Sequence, residues 1–290
     1  MQLVISNLNK TYANGVHALK DVNLTINQGM FGLLGPNGAG KSSLMRTIAT
    51  LQEPDNGSIT LGDIDVLKQK DDVRKTLGYL PQEFGVYPKV DAYTLLNHLA
   101  VLKGITNSSE RKAVVEALLQ KTNLWDARKK NLGGYSGGMK QRFGIAQALL
   151  ANPKLIIVDE PTAGLDPAER NRFLNLLSEL GENTVVILST HIVEDVKELC
   201  SDMAIFNKGE VLFKGSPDEA LSQITGKIWQ KRINKAELSD YKQNFKVISE
   251  KLIGGNPIIH VLSDTNPDGT FTAIAGDLED VYFSKIFANA

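Results

Sequence analysis

The sequence is poor in cysteine: Cys200 is the single cysteine in a chain of 290 residues. One cysteine excludes an intramolecular disulfide and any metal site built from several thiolates. It is compatible with a reducing compartment such as the cytosol but does not require one. We therefore interpret Cys200 as a small buried residue of the core and not as a reactive group.

The sequence also lacks long apolar runs and an excess of charge of either sign. No apolar stretch reaches the roughly 18 residues of a membrane-spanning helix, and residues 1–4 lack the basic region of a signal peptide. We therefore expect any membrane attachment to depend on a partner. Lys and Arg number 32 against 33 Asp and Glu, so bulk electrostatics give no reason to expect nucleic acid or anionic lipid as a partner.

What remains is an ordinary globular composition, 42% hydrophobic and 22% charged, with enough apolar residues for a sizeable core. At about 150 residues per domain the length predicts roughly two domains. Continuous apolar runs at residues 30–34 and 155–158 are typical of strands covered on both faces, and residues 167–180 have helical spacing. This alternation of strand and helix patterns predicts an α/β fold with a mostly parallel sheet and flanking helices.

The pattern changes twice along the chain. Between about residues 83 and 150 it is helical, which predicts a helical subdomain. After about residue 226, short strand-like pieces separated by turn signals predict a small α+β appendage over residues 226–290. The other predicted strands are residues 2–8, 18–26, 57–61, 77–80, 184–188, 246–253, 258–262 and 270–274, and the other predicted helices are residues 41–51, 94–103, 110–121 and 278–287.

A glycine-rich turn follows the strand at residues 30–34 and opens a helix, as the phosphate-binding P-loop pattern requires. Its glycines allow backbone N–H groups to converge on phosphate oxygens, and the helix N-terminus adds partial positive charge. We expect Lys41 to neutralise the β- and γ-phosphates and Ser42 to place its hydroxyl on Mg²⁺. The predicted nucleotide-binding residues here are Gly35, Pro36, Asn37, Gly38, Ala39, Gly40, Lys41, Ser42 and Ser43.

Two carboxylates, Asp159 and Glu160, end the apolar run at residues 155–158. Burying charge at the end of a buried strand is costly without a partner, and Mg²⁺ provides one for Asp159. Glu160 is then placed to polarise the attacking water as a general base. P-loops also serve GTPases and small-molecule kinases, but residues 207–210, Asn-Lys-Gly-Glu, lack the carboxylate of the guanine-specific element. We interpret those residues as a turn between two strands.

The run at residues 135–142, Tyr-Ser-Gly-Gly-Met-Lys-Gln-Arg, resembles the signature motif of ABC-type ATPases. The other elements follow the family's order: Gln82 resembles the Q-loop, residues 164–166 the D-loop with Asp166, and His191 the switch histidine. Tyr12 lies where the family has its adenine-stacking aromatic. The resemblance covers about residues 1–223 and implies a P-loop ATPase fold with a mixed sheet, in an ATPase domain of residues 1–225.

The resemblance also implies residue roles. His191 would contact the γ-phosphate and orient the water, and Gln82 would link the metal site to the helical subdomain. Ser136, Gly137 and Gly138 open a helix, so their hydroxyl and N–H groups can grip an anion. In the family they close over the γ-phosphate held by a second subunit, which gives a head-to-tail dimer with two sandwiched ATP molecules. Tyr135 and Met139 replace the usual Leu and Gln of the family. Neither substitution removes the hydroxyl and N–H groups that can bind an anion.

In the family, a groove around residues 83–90 receives a helix from a transmembrane permease, and Phe84, Val86 and Tyr87 are the apolar candidates here. Residues 278–282, Leu-Glu-Asp-Val-Tyr, resemble the closing motif of ATPases that drive drug- or lipid-exporter-like permeases encoded separately. The alternative interpretation of this motif is an amphipathic helix that packs the appendage.

Three hypotheses follow. The leading one is the ATP-hydrolysing motor of an exporting ABC transporter, a homodimer or heterodimer held by the permease at the cytoplasmic face of the cell membrane. A soluble ABC ATPase that remodels nucleic acid or ribosomes is the alternative, but such proteins usually carry two cassettes, coiled-coil insertions or basic arms. The third hypothesis is a regulatory cassette without catalytic activity. The joint presence of Lys41, Asp159, Glu160 and His191 argues against it.

Overall fold

A computed structural model describes residues 1–82, 85–162, 164–180 and 184–288, which form three β-sheets with helices around them. The central sheet has six strands in the order β10-β9-β3-β8-β7-β6. All neighbouring pairs are parallel except β9 and β10. Its strands are β3 (Gly29–Leu34), β6 (Leu77–Leu80), β7 (Leu155–Asp159), β8 (Val185–Thr190), β9 (Asp202–Asn207) and β10 (Glu210–Gly215).

A second, antiparallel sheet of four strands lies beside it in the order β2-β1-β4-β5. It consists of β1 (Leu3–Thr11), β2 (His17–Ile26), β4 (Asn56–Leu61) and β5 (Ile64–Asp65), and α1 (Lys41–Ile48) packs against it. One hydrophobic cluster joins Leu3 and Leu24 of this sheet, Leu44 of α1, and Ile157 and Ile187 of the central sheet. The P-loop helix is thus packed against both sheets.

The predicted helical region contains α3 (Ala92–Leu102), α4 (Ser108–Lys121), a short 3₁₀ helix (Leu132–Gly134) and α5 (Gly137–Ala148), and α2 (Lys70–Thr76) precedes β6. Asp91, Asn107 and Ser136 cap α3, α4 and α5 by accepting backbone N–H bonds, which satisfies donors that a helix start leaves open. A separate cluster that includes Leu96, Leu119 and Phe143 forms the core here.

The opposite face of the central sheet carries α6 (Pro167–Ser178), α7 (Val193–Leu199) and α8 (Pro217–Ser222). The C-terminal segment follows with an antiparallel sheet in the order β12-β13-β11-β14. Its elements are β11 (Ile228–Arg232), a 3₁₀ helix (Lys235–Glu237), α9 (Leu238–Asn244), β12 (Val247–Ile253), β13 (Asn256–Leu262), β14 (Thr272–Ala273) and α10 (Leu278–Ala288).

Most predicted elements are present, and residues 207–210 do turn between β9 and β10. Three elements of the C-terminal segment, β11, the 3₁₀ helix and α9, were not predicted. The division at residues 225 and 226 and the limits of the helical subdomain stay predictions, and Glu83 and Phe84 lie outside the described residues. Within the described part of the chain, no helix is long and apolar enough to cross a lipid bilayer.

Candidate active site

The turn between β3 and α1 forms one wall of a cavity of about 230 Å³. The residues that line the cavity are Tyr12, Val16, Ala18, Pro36, Asn37, Gly38, Ala39, Gly40, Lys41, Ser42, Ser43, Gln82, Asp159 and Glu160. Residues from three predicted motifs, far apart in the chain, therefore meet at the carboxyl ends of β3 and β7, as expected for the ligand site of a parallel sheet.

Two glycines of this turn are required by close packing. Gly40 has φ 110°, and a Cβ on it would lie 2.3 Å from the Ala18 carbonyl oxygen. A Cβ on Gly35 would lie 2.4 Å from the Phe206 carbonyl oxygen. A side chain at either position would displace backbone, so the turn is fixed tightly against β2 and β9. Gly38, by contrast, has open space where a Cβ would lie.

Lys41 is 6% exposed and is held inside the turn. Its Nζ donates to the Gly35 carbonyl oxygen at 2.6 Å and the Pro36 carbonyl oxygen at 3.3 Å, and lies 3.9 Å from Glu160 Oε1. Burial lowers the pKa of the Lys41 ammonium, whereas the charges of Glu160 and Asp159 raise it. A desolvated cation at a helix N-terminus is a strong partner for an anion.

Asp159 and Ser42 supply two oxygen atoms of the kind that Mg²⁺ prefers. Ser42 Oγ lies 3.5 Å from Asp159 Oδ2. Burial raises the pKa of the Asp159 carboxyl, and the neighbouring Glu160 charge adds to this effect. A buried carboxylate that is costly to ionise alone is suited to a cation, so the donor set fits the predicted metal.

Glu160 and His191 form a direct pair. His191 Nδ1 lies 2.7 Å from Glu160 Oε2, whereas Glu160 Oε1 is buried with no hydrogen-bond partner among the described residues. Glu160 has φ 48°, an uncommon conformation for a residue with a side chain, and its N–H donates to the Ser189 carbonyl oxygen at 2.8 Å. The strained backbone directs one carboxylate oxygen to His191 and leaves the other free to accept a proton.

Tyr12 and Gln82 lie at the edge of the cavity. Tyr12 Oη is 2.9 Å from Ser43 Oγ and donates to Gln52 Oε1 at 3.0 Å. These bonds fix a tyrosine ring that is 37% exposed, which suits it to stack on a flat base. Gln82 is exposed and lines the cavity beyond Asp159.

The predicted signature residues do not join this cavity. Ser136 caps α5 by accepting the Met139 N–H at 3.2 Å. Gly137 faces open space, whereas a Cβ on Gly138 would meet Glu169 Oε2 at 2.5 Å. The residues Ser136, Gly137 and Gly138 are all described, and none is among those that line the cavity. The start of α5 thus lies at a surface separate from this cavity.

The two departures from the signature pattern face the helical core. Tyr135 is 5% exposed, packs in the cluster of α3, α4 and α5, and donates from Oη to the Ala127 carbonyl oxygen at 3.0 Å. Met139 packs against the same cluster. Neither side chain replaces a group of Ser136, Gly137 or Gly138 that could grip an anion.

Asp166 caps α6 by accepting the Glu169 N–H at 2.9 Å and is exposed. Sequence reasoning missed a buried network beside it, centred on the fully buried Asp195. Asp195 accepts from Thr162 Oγ1 at 2.6 Å and from Arg170 Nε at 2.8 Å, and so joins the loop after Glu160 to α6 and α7. No local pattern in the sequence signals this network, because Thr162, Arg170 and Asp195 lie on separate elements.

Cys200 is buried, as predicted. Burial raises the pKa of its thiol to about 12, and the charge of Asp195 adds to this effect. A thiol with so high a pKa carries little thiolate at neutral pH, so it is not a nucleophile of the site.

Comparisons with known proteins agree with this geometry. A family model described as ABC transporter matches residues 19–163. The uncharacterized ABC transporter ATP-binding protein YxlF of Bacillus subtilis (strain 168) is 33% identical, over 99% of this chain and 100% of that protein. The ATP-binding protein NatA of the same organism is 39% identical over 69% of this chain and 82% of its own length. The daunorubicin/doxorubicin resistance ATP-binding protein DrrA of Streptomyces peucetius is 31% identical, with coverages of 95% and 80%.

Solved structures show the same class. The ATP-binding subunit of an ABC transporter gives a TM-score of 0.69 at 28% identity, covering 78% of this chain and 94% of that one. A dimeric ATP-binding cassette in a post-hydrolysis state, bound to ADP and Pi, gives 0.67 at 28% identity, with coverages of 74% and 98%. The fold is therefore that of the ABC-type P-loop ATPases, which confirms the predicted fold class. The chain belongs to the ABC transporter family as an ATP-binding subunit, and it binds and hydrolyses ATP to power transport.

Proposed function

We propose that this chain hydrolyses Mg-ATP in a cavity that a second ATPase subunit completes, and that it drives a permease made as a separate chain. The observation that carries the proposal is the separation of two anion-binding helix starts. The P-loop helix lies with Asp159 and Glu160 in one cavity, whereas Ser136 caps α5 at a different surface. A head-to-tail pairing, as a homodimer or with a related subunit, brings the second helix start onto the phosphate bound at the first.

Within one chain each side chain has a distinct role. Lys41 binds the β- and γ-phosphates, Ser42 and Asp159 hold Mg²⁺ with Gln82 beside them, and Tyr12 stacks on the adenine. Mg²⁺, when bound, neutralises phosphate charge. Glu160 accepts a proton from the attacking water, and His191 orients that water near the γ-phosphate. Asp166 and the partner's Ser136, Gly137 and Gly138 close the site.

The contact between Glu160 and His191 fixes the position of the proposed general base. The 2.7 Å contact with His191 and the Lys41 ammonium 3.9 Å from Oε1 hold the buried Glu160 side chain in position. Its Oε1, which has no hydrogen-bond partner among the described residues, is the atom that receives the proton. A buried carboxylate with one unsatisfied oxygen is costly in a purely structural role.

An apolar surface on the helical region supports a permease as the partner. Tyr87, Val101 and Leu102 are 67%, 42% and 73% exposed and line a groove of about 720 Å³. Leu102 and the 57% exposed Leu51 also line a neighbouring groove of about 330 Å³. Exposed apolar side chains that are contiguous in this way fit the apolar face of a helix. Val86, predicted for this groove, is half-buried and packs against the helical core.

Substitution of Glu160 by Gln tests the two-subunit site. Glu160→Gln keeps the shape of the side chain but removes the base, so we expect ATP to bind, turnover to stop and a dimer to accumulate. Light scattering with Mg-ATP measures the dimer, and phosphate release measures turnover. Glu179→Gln makes the same change at an exposed glutamate and should leave both unchanged. A Glu160→Gln protein that stays monomeric with Mg-ATP would contradict the proposed two-subunit site.

We further propose that the chain lies at the cytoplasmic face of the membrane, and affinity purification from detergent-solubilised membranes tests the permease and the attachment to the membrane. We expect a polytopic membrane protein to co-purify in stoichiometric amount and to be lost from the double variant Tyr87→Ser, Leu102→Ser. The control variant Leu252→Ser changes a residue of β12 that is 66% exposed and should retain the partner. Recovery from the soluble fraction with ribosomal or nucleic-acid components would overturn the permease assignment. The name of DrrA and the motif at residues 278–282 favour export.

A further inference from the structure

The C-terminal helix α10 faces the segment that carries His191. A cavity of about 290 Å³ lies between them. One wall is formed by residues 191–194 and Lys197, and the opposite wall by residues 277–279, Tyr282 and Phe283. Elements about 85 residues apart in the chain thus meet beside His191, a residue of the proposed hydrolysis machinery.

Tyr282 is a buried aromatic residue of α10 that lines this cavity. It is 7% exposed, and it belongs to the hydrophobic cluster that contains Val158 and Val196. Burial raises the pKa of the Tyr282 hydroxyl, and the negative charge of Glu160 raises it further. The phenol lines the same cavity as His191, the residue that is paired with Glu160.

The position of α10 is fixed from its other side by the C-terminal sheet. Asp277 and Asp280 accept each other's N–H groups at the helix start, at 2.9 and 3.1 Å. Asp280 Oδ1 also lies 2.7 Å from Nδ1 of His260 on β13, and Lys251 of β12 donates to Glu279 at 2.6 Å. Leu278 and Val281 are buried in the core. The sheet therefore determines where Tyr282 lies.

The segment that begins at His191 is held by the bonds of Asp195 with Thr162 and Arg170 and by the elements that pack against α7. The His191 side chain is 54% exposed and pairs with Glu160. Helix α7 starts directly after it, has seven residues, and has no side-chain cap at Ile192. A short helix without a cap depends on the elements that pack against it for its position, and α10 is one of those elements.

We propose that Tyr282 is a positioning residue for ATP hydrolysis, through which the C-terminal segment holds the His191 segment against Glu160. The proposal rests on the roles proposed above for Glu160 and His191. It gives residues 226–290 a function in this chain: they set how fast bound ATP is hydrolysed. A displacement of about 1 Å in a reacting group costs up to a hundredfold in rate, so loss of this support should act on turnover and leave ATP binding unchanged.

The test compares steady-state ATP hydrolysis by full-length Tyr282 variants. We expect Tyr282→Leu to lower kcat about tenfold with KM for ATP within about twofold, and Tyr282→Phe, which keeps the ring, to restore at least about half the rate. Tyr241→Leu is the matched control, because Tyr241 is a half-buried tyrosine of the same segment that packs in a separate cluster. An unchanged kcat for Tyr282→Leu, or an equal loss for Tyr241→Leu, overturns the proposal.

Two further measurements keep the test decisive. If Tyr282→Leu does not fold, Tyr282→Met, whose flexible side chain adapts to irregular space, is judged by the same criteria. In the Tyr282 variant, amide hydrogen exchange should become faster over residues 191–199 and stay unchanged over β7. Faster exchange over both regions contradicts a local role of Tyr282. Glu160→Gln in the same assay separates the proposed active site from the proposed role of Tyr282. If Glu160→Gln still hydrolyses ATP, the proposed active site is wrong. If Glu160→Gln is inactive and Tyr282→Leu is fully active, only the role of Tyr282 is wrong.

Discussion

Lys41 and Ser42 are neighbours in the chain, yet each lies beside a different carboxylate. Lys41 Nζ is 3.9 Å from Glu160 Oε1, and Ser42 Oγ is 3.5 Å from Asp159 Oδ2. A cation beside the proposed base is placed for phosphate, whereas a hydroxyl beside a buried carboxylate is placed for a metal ion. The two proposed roles are therefore separable by experiment.

Calorimetric ATP binding with Mg²⁺ and with EDTA separates them. Lys41→Ala removes a charged hydrogen-bond donor worth about 1.5–3 kcal/mol, so we expect affinity to fall roughly ten- to a hundredfold in both conditions. Ser42→Ala should weaken binding with Mg²⁺ and have little effect in EDTA. Lys68→Ala changes a lysine whose side chain is 84% exposed and should bind like the unmodified chain. Unchanged binding by Lys41→Ala would contradict the assignment.

At the same scale, the sequence predicted most residues that line the cavity, but it did not predict Val16 and Ala18 or how the side chains pair. The P-loop, Asp159 and Glu160 are predictable because each follows a buried strand in a local pattern. The contact of Glu160 with His191, 31 residues later, depends on β7 and β8 being neighbours in the sheet. The ionic contact of Arg170 with Asp195 depends in the same way on the packing of α6 and α7, which no local pattern specifies.

At the scale of elements, burial explains which strands were predictable. All residues of β7 and β8 are buried, so their sequences are continuous apolar runs. β11 is Ile-Trp-Gln-Lys-Arg and has only Ile228 fully buried, and α9 has no buried residue among those described. Such elements are specified by their partners, β13 and the aromatic cluster around Phe271, and their own composition gives little signal.

The closing helix shows what its sequence motif does physically. Leu278 and Val281 pack in the core, Glu279 pairs with Lys251, and Asp280 caps the helix and pairs with His260. Four of the five residues of the motif thus fix α10, as the alternative interpretation of a packing helix predicted. The resemblance of the motif to exporter ATPases stays a prediction, since anchoring of α10 does not depend on the transported molecule.

At the scale of the whole molecule, the C-terminal segment shares its core with the ATPase sheet. One cluster contains Val158 and Val186 of the central sheet together with Ile228, Ile248 and Val281 of the C-terminal segment. Two units with separate cores would unfold independently, whereas elements that share a core lose their packing together. The structure thus favours one cooperative unit across the predicted boundary at residues 225 and 226.

The two tryptophans of the chain make this testable in urea. Trp125 packs in the helical cluster and Trp229 in the C-terminal segment, so Trp125→Phe leaves an emission signal from Trp229 alone. We expect the midpoint of that signal to coincide with the midpoint of far-ultraviolet circular dichroism in the same variant, because loss of β11 exposes the shared core. Comparison within one variant removes the effect of the substitution on stability, and Trp229→Phe reports the helical region in the same way. If the Trp229 emission changes at a lower urea concentration than the circular dichroism signal, residues 226–288 unfold alone. The support of His191 by α10 would then be separable from the fold of the ATPase.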